Sequence, residues 1–221
     1  MRALLLGLAL ALLPGLSLAD DAKPAALTVD ATLTKMAEAH KGMKAISASF
    51  TQTTTGMSYF EPVVQTGTIA MEAPGKMRWD FIAPTKTQWL SDGTTLWILD
   101  EEDKKATVFR TVSEMLQTYY GFLTGSADPR KQFRVAMDTE AKSPVPGAIA
   151  LKMTPLEADG SVESLRVYLD AETHRVAGVA MLTPFGDRTD MVLTNVTTPD
   201  DLPDADFVYT DREGWRTVQG D

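Results

Sequence analysis

The sequence predicts a mainly β fold, in which an open, curled antiparallel sheet is capped by short helices over an apolar cavity. Short alternating runs of apolar and polar residues, separated by proline and glycine, recur from residue 47 onward. Only two segments have helical spacing, and each carries an apolar stripe that suits a lid. Three of the four tryptophans lie between residues 67 and 100, on strands with large apolar side chains on one face.

The first 19 residues have the pattern of a cleaved secretory signal. Arg2 precedes an apolar run over residues 3–13, and Ala19 closes a small-residue motif at the expected cleavage site. A membrane anchor is the alternative, but this run is shorter than the roughly 20 residues that span a bilayer, and Pro14 follows it. We therefore expect an exported protein.

The rest of the chain is expected to be a flexible leader, residues 20–29, and one domain, residues 30–221. The formal net charge of -9, without a basic cluster, argues against nucleic acid or an anionic membrane as the principal partner. The sequence contains no cysteine, so neither a disulfide nor lipid modification of an N-terminal cysteine is possible. The apolar core must stabilise the fold alone.

The predicted elements follow one another in a simple order. Asp30 is the expected N-cap of a first helix that ends near Gly42, and a second helix runs from Ser113 to Gly125. About eleven strands make up the rest, with a last edge strand near the C-terminus. Their predicted ranges are 47–55, 63–72, 76–82, 86–90, 94–99, 106–110, 133–137, 148–153, 164–169, 175–182, 188–196 and 207–209.

The inward phase of the alternation defines a candidate ligand cavity, because Arg78 and Asp80 point to the opposite face. Flexible methionines and flat aromatic rings on such a face suit a ligand of variable shape. The predicted lining consists of Phe50, Ile69, Met71, Met77, Trp79, Phe81, Trp89 and Leu96. The predicted lid contributes Leu33, Met36, Leu116, Tyr119, Phe122 and Leu123.

The inventory of catalytic residue types is thin. His40 and His174, the two histidines, are expected at the surface and have no metal-ligand spacing. Candidate acid and base carboxylates such as Asp80, Asp92 and Asp100 lie in turns or on the outward phase, where solvated charges are common. The sequence therefore predicts a binding protein that is not an enzyme and uses no metal or cofactor.

Several motifs resemble the periplasmic outer-membrane lipoprotein carrier family, LolA. The most specific block runs from Pro74 to Trp97 and includes PGKMRW and SDG, and ASFTQ at 48–52 and Gly67 precede it. Residues 122–125, 185–189 and 207–209 resemble the family's lid end, a turn and its last strand more loosely. The resemblance extends over nearly the whole predicted domain.

This resemblance implies an open β-barrel with a helical lid around a hydrophobic cavity. A periplasmic monomer of this kind would receive triacylated lipoproteins from an ATP-driven inner-membrane complex and pass them to an outer-membrane receptor. The receptor of the same fold is itself a lipoprotein, which the missing cysteine argues against here. Ala73 stands where well-known members place an arginine that bonds to the lid, so the resemblance leaves the lid contact unassigned.

The sequence is compatible with two other classes of function. The chain could bind another lipid or a glycolipid outside lipoprotein sorting, or it could be a periplasmic hydrolase on a β scaffold. Fold analogy alone does not separate the first of these from a lipoprotein carrier, because one fold accommodates many ligands.

Overall fold

The computed structural model describes residues 27–57, 59–110, 121–125, 128–157 and 160–220. Within these ranges the chain forms one α-helix, three short 3-10 turns and a single sheet of twelve strands. The helix α1 spans Val29–Ala39. The strands are β1 Ala45–Thr55, β2 Val63–Glu72, β3 Lys76–Ala83, β4 Thr87–Asp92, β5 Thr95–Asp100, β6 Lys105–Arg110, β7 Phe133–Met137, β8 Ile149–Pro155, β9 Ser164–Leu169, β10 Val176–Leu182, β11 Arg188–Thr197 and β12 Arg216–Gln219.

The sheet has the order β12-β6-β5-β4-β3-β2-β1-β11-β10-β9-β8-β7. Every pair of neighbours is antiparallel except β12 and β6. The two end strands, β7 and β12, are not paired with each other, so the sheet does not close into a barrel. The predicted fold class, an open and mainly β half-barrel, is thus confirmed: eleven strands overlap predicted ranges, and the last strand lies at 216–219 instead of 207–209.

The sheet curls so that its two halves share one core. Trp79 and Leu96 from β3 and β5 belong to the same buried cluster as Leu151 and Leu165 from β8 and β9. Side chains on one face of strands this far apart in the sheet can meet only if that face is concave. The concave face therefore contains the core, and the strand alternation assigns each side chain to it or to the convex face.

The helix α1 covers one end of the concave face. Its N-cap is Thr28, whose hydroxyl accepts a hydrogen bond from the Ala31 amide at 3.2 Å. The expected cap at Asp30 was wrong, although a carboxylate in the first helical turn still interacts favourably with the helix dipole. Leu33 and Met36 are buried in the common core cluster, which fixes the orientation of the helix.

The C-terminal segment differs from the prediction. Residues 207–209 do not form a strand, because a 3-10 turn spans Asp204–Phe207 and no ladder follows it. Burial of apolar side chains prevails over strand pairing here. Tyr209 packs on the convex face with Leu90 and Leu99, and the partly buried Trp215 packs against this cluster. The last strand is instead β12, a short polar segment without the alternation that would have revealed it.

Candidate functional site

A cavity of about 690 Å³ lies between the two halves of the sheet. Eighteen of the described residues line it, and none of these carries a charged side chain. They are Gln52, Gln65, Trp79, Phe81, Thr87, Trp89, Leu96, Ile98, Phe109, Phe122, Leu123, Ser161, Val162, Leu165, Val179, Met181, Thr189 and Met191. A volume of this size falls within the range of roughly 300–1,000 Å³ that ligand pockets occupy.

One wall of the cavity is aromatic. Trp79 and Trp89 are direct cross-strand partners on β3 and β4, with ring centroids 6.1 Å apart. Phe81 lies two residues along β3, and its ring stacks on Trp79 at 6.1 Å with an interplanar angle of 7°. These contacts arise because alternate residues of a strand share a face and neighbouring strands align them. Flat, rigid surfaces of this kind suit an apolar ligand.

Phe50 is placed beside this wall by a glycine. Gly67 lies opposite Phe50 on β2, and a Cβ atom built there would be 2.7 Å from the Phe50 ring and would also overlap the Asp80 carbonyl oxygen. The absence of a side chain at Gly67 leaves room for the Phe50 ring. From this position it makes edge contacts with Trp79 at 5.7 Å and with Phe81 at 5.3 Å.

The opposite wall is aliphatic and comes from the second half of the sheet. Leu165 on β9, Val179 and Met181 on β10 and Met191 on β11 form it. Strand pairing aligns them, because Val179 is the partner of Met191 and Met181 is the partner of Leu165. The sequence prediction missed this wall, although the same alternation that identified β3 is present in residues 164–191 and could have revealed it.

The predicted lining residues divide into two groups. Trp79, Phe81, Trp89 and Leu96 lie on the cavity wall. The other four, Phe50, Ile69, Met71 and Met77, are in the solid part of the core and do not line the open space. Ile46, Met71 and Met77 are register partners near the start of β1, and each is at most 3% exposed.

The predicted lid residues are similarly divided. Phe122 and Leu123, in a 3-10 turn, line the cavity and are almost completely buried. Leu33 and Met36 lie in the core cluster on α1. Leu116 and Tyr119 fall outside the described residues, as does most of the predicted second helix.

Arg78 lies away from the cavity, as its strand phase predicts. Its Nε donates to Asp80 Oδ2 at 2.7 Å, and Nη1 donates to the Asp206 carbonyl at 3.5 Å. This arginine therefore connects the convex face to the C-terminal segment. At Ala73, where a lid-bonding arginine was missing from the sequence motif, the described contact is a backbone hydrogen bond to the Lys44 carbonyl at 3.2 Å.

The candidate carboxylates have structural partners. Asp92 accepts hydrogen bonds from the Thr94 and Thr95 amides at 2.8 Å, and Asp100 does the same for the amides of the turn that follows it. Burial alone would raise the pKa of Asp92, but these amide hydrogen bonds outweigh it and lower that pKa. Within the described ranges no group of three or more His, Asp or Glu residues could hold a metal ion.

His40 is buried, contrary to the expected surface position, and it joins α1 to the segment with Phe122 and Leu123. It is only 5% exposed, and its Nδ1 is 2.7 Å from the Met36 carbonyl oxygen. A Cβ atom at Gly125 would lie 2.7 Å from the His40 Cβ, so only glycine allows this approach. Burial lowers the pKa of His40; the Met36 hydrogen bond opposes this effect, and the nearby Arg175 charge reinforces it.

We expect His40 to make stability depend on pH. The unfolded chain has the ordinary pKa of 6.5, so the contribution is complete above that pH and decreases as the pH falls toward the lowered pKa of the folded state. The loss is at most about 1.4 kcal/mol per pH unit for a single group. Thermal unfolding of the wild type should therefore be more sensitive to acidification between about pH 7.5 and 5.5 than that of His40→Gln. Equal sensitivity would contradict the assignment.

The loops at the end of the sheet near Gln52 and Gln65 expose several apolar residues. Met57 is 94% exposed, Phe185 is 78% exposed and Phe60 is fully exposed. They lie in the β1–β2 and β10–β11 connections, which are adjacent because Gly56 packs against Asp187. Ser161 and Val162, in the β8–β9 connection at the same end of the sheet, line the cavity. Exposed apolar clusters of this kind are typical of binding surfaces.

A largely apolar cavity between the halves of a curled sheet, with no charge among its described lining residues, is typical of proteins that bind an apolar ligand. The family model described as "Outer membrane lipoprotein carrier protein LolA" matches residues 41–210, and the chain belongs to this family. No helix in the described part of the chain is long and apolar enough to cross a membrane.

Curated relatives agree with this assignment. The chain is 28% identical over 213 residues to the outer-membrane lipoprotein carrier protein of Bordetella avium, covering 95% of this chain and 93% of the relative. It is 26% identical over 174 residues to the protein of the same name from Dechloromonas aromatica, covering 79% and 81%. These relatives are named as carriers, a role that is not enzymatic.

Among solved structures, an uncharacterized conserved protein from Thermus thermophilus superimposes with a TM-score of 0.54. The match covers 86% of this chain and 99% of that protein at 10% sequence identity. At this identity the similarity concerns the fold alone.

Proposed function

We propose that the protein carries acylated lipoproteins through the periplasm by enclosing their acyl chains in the cavity between the sheet halves. The observation that supports this most directly is a cavity of about 690 Å³ in a member of this family, walled by aromatic and aliphatic side chains and without a charge among its described lining residues. An acyl chain has about 15 methylenes, so its exposure to water costs on the order of 10 kcal/mol at about 0.8 kcal/mol for each CH₂. Crossing an aqueous compartment therefore requires a shield.

The pattern of the first 19 residues supports the proposed location. Removal of that segment on export would leave the carrier domain in the periplasm. In this proposal an ATP-driven inner-membrane complex supplies the lipoprotein and an outer-membrane receptor accepts it. The exposed loops with Met57, Phe60 and Phe185 adjoin the polar end of the cavity. They are the proposed surface at which the lipoprotein is transferred from and to these partners.

The size of the cavity limits how much ligand it holds in this conformation. If a methylene occupies about as much space as a water molecule in the liquid, roughly 30 Å³, the volume accommodates about 20 methylenes. This is more than one acyl chain of about 15 methylenes and much less than three. We therefore propose that the walls separate when a triacylated lipoprotein is loaded, which an unclosed sheet permits more readily than a closed barrel.

The proposal is tested by identifying what the protein carries. The exported chain is recovered from the periplasm without detergent and analysed by native mass spectrometry. Complexes whose mass includes a diacylglyceryl-modified or triacylated protein support lipoprotein transport. Complexes with phospholipid or glycolipid alone favour the alternative, a carrier of other lipids. A chain that stays empty and takes up no lipoprotein from inner-membrane vesicles would contradict both.

A further inference from the structure

The concave face changes from apolar to polar at one level of the sheet. Along β1 the inward positions are apolar up to Phe50 and continue with Gln52 and Thr54. Gln65 is the partner of Gln52 on β2, and Thr189 is the partner of Thr54 on β11. On β4, the inward position next to Trp89 at this end of the cavity is Thr87. Four strands therefore place an uncharged polar side chain at one end of an otherwise apolar cavity.

The two glutamines form the centre of this polar level. Gln52 Nε2 donates to Gln65 Oε1 at 3.1 Å, and both residues are half-buried on the cavity wall. This bond leaves the Gln65 amide nitrogen and the Gln52 amide oxygen unused, and neither atom has a hydrogen-bond partner among the described residues. A hydrocarbon covering these groups would remove their water without replacing its hydrogen bonds, which is unfavourable.

The lining residues also determine which polar group of a ligand can bind at this level. None of the described lining residues is charged, so neither a carboxylate nor an ammonium group would find an ion-pair partner there. A neutral carbonyl oxygen can accept from the unused N–H of Gln65 while its hydrocarbon chain lies against Trp79, Phe81 and Trp89. The cavity therefore suits a ligand that is apolar over most of its length and has one uncharged hydrogen-bond acceptor at its end.

Building on the proposed function, we propose that Gln52 and Gln65 form a subsite for the acyl carbonyl, the ester or amide that joins an acyl chain to its carrier molecule. The subsite sets how deep a chain enters, with the carbonyl at the polar level and the methylenes below it. It also selects acyl esters and amides over free fatty acids and plain hydrocarbons.

The test compares three probes that have chains of similar length: methyl laurate, N-methyl lauramide and lauryl methyl ether. Binding is followed by the fluorescence of Trp79 and Trp89, which line the cavity, whereas Trp97 and Trp215 pack in the convex cluster. The double variant Gln52→Leu/Gln65→Leu removes the subsite. The control Thr51→Leu/Thr66→Leu changes a directly paired, exposed position on the opposite face of the same strands.

The measured quantity is the affinity ratio of ester or amide to ether within each protein, so a partial loss of folded protein cancels. From wild type to the glutamine variant this ratio should fall about three- to tenfold, the usual value of a neutral hydrogen bond, and it should not change in the control. A fall for only the ester or only the amide identifies the linkage that is recognised. Unchanged ratios with all probes bound would overturn the subsite and leave the proposed function intact. Failure of all three to bind wild type would refute the acyl cavity itself, and the subsite with it.

Discussion

Ile98→Glu is expected to weaken binding of an acyl chain about a hundredfold or more. Ile98 lines the cavity opposite Trp89 on the neighbouring strand, and it is only half-buried. In the empty cavity water can hydrate the new carboxylate, so the fold is retained. A bound acyl chain would displace this water, and none of the described lining residues has a charge that could compensate. The loss of hydration costs several kcal/mol. Quenching of the cavity tryptophans by a brominated acyl probe measures the loss.

The control for this variant adds the same charge outside the cavity. Thr66→Glu lies at an exposed position of β2 that faces away from the cavity, so its affinity should match that of the wild type. The comparison separates a local effect on the ligand from the effect of added negative charge on an already acidic chain. Wild-type affinity in Ile98→Glu would show that acyl chains bind elsewhere.

Gly67→Ala is expected to lower the free energy of unfolding by about 2–3 kcal/mol, which is large for the addition of a single methyl group. The new Cβ atom would overlap the Asp80 carbonyl oxygen of β3, a backbone atom that cannot rotate away. It would also be 2.7 Å from the Phe50 ring. Relief requires β2 and β3 to separate and Phe50 to leave Trp79 and Phe81. Urea or thermal unfolding measures the change.

Gly147→Ala provides the matched control. Nothing lies within 4 Å of a Cβ atom at Gly147, so the only penalty comes from its backbone angle φ of +69° and is about 1 kcal/mol. The difference between the two variants isolates the packing at Gly67. If both lost the same stability, the close approach of Phe50 and β3 to Gly67 would not be a determinant of the aromatic wall.

The strand pattern predicts some side-chain positions correctly and others not. The alternation in residues 76–82 correctly placed Trp79 and Phe81 on the concave face and Arg78 on the other. It could not indicate that Met77, on the same face as Trp79, is packed in the core and does not border the cavity. It also could not place His40, because the burial of that residue depends on the approach of Gly125, which is distant in the sequence.

The amino-acid sequence by itself determined the mainly β fold, the face to which each strand residue points and the family to which the chain belongs. These properties follow from local periodicity and from short motifs. The tertiary structure alone decided which inward side chains border open space, which pair of glutamines meets across β1 and β2, and that the last strand is parallel to β6. A cavity is the small difference between the space enclosed by the sheet and the volume of the side chains within it, and that difference depends on contacts between distant parts of the chain.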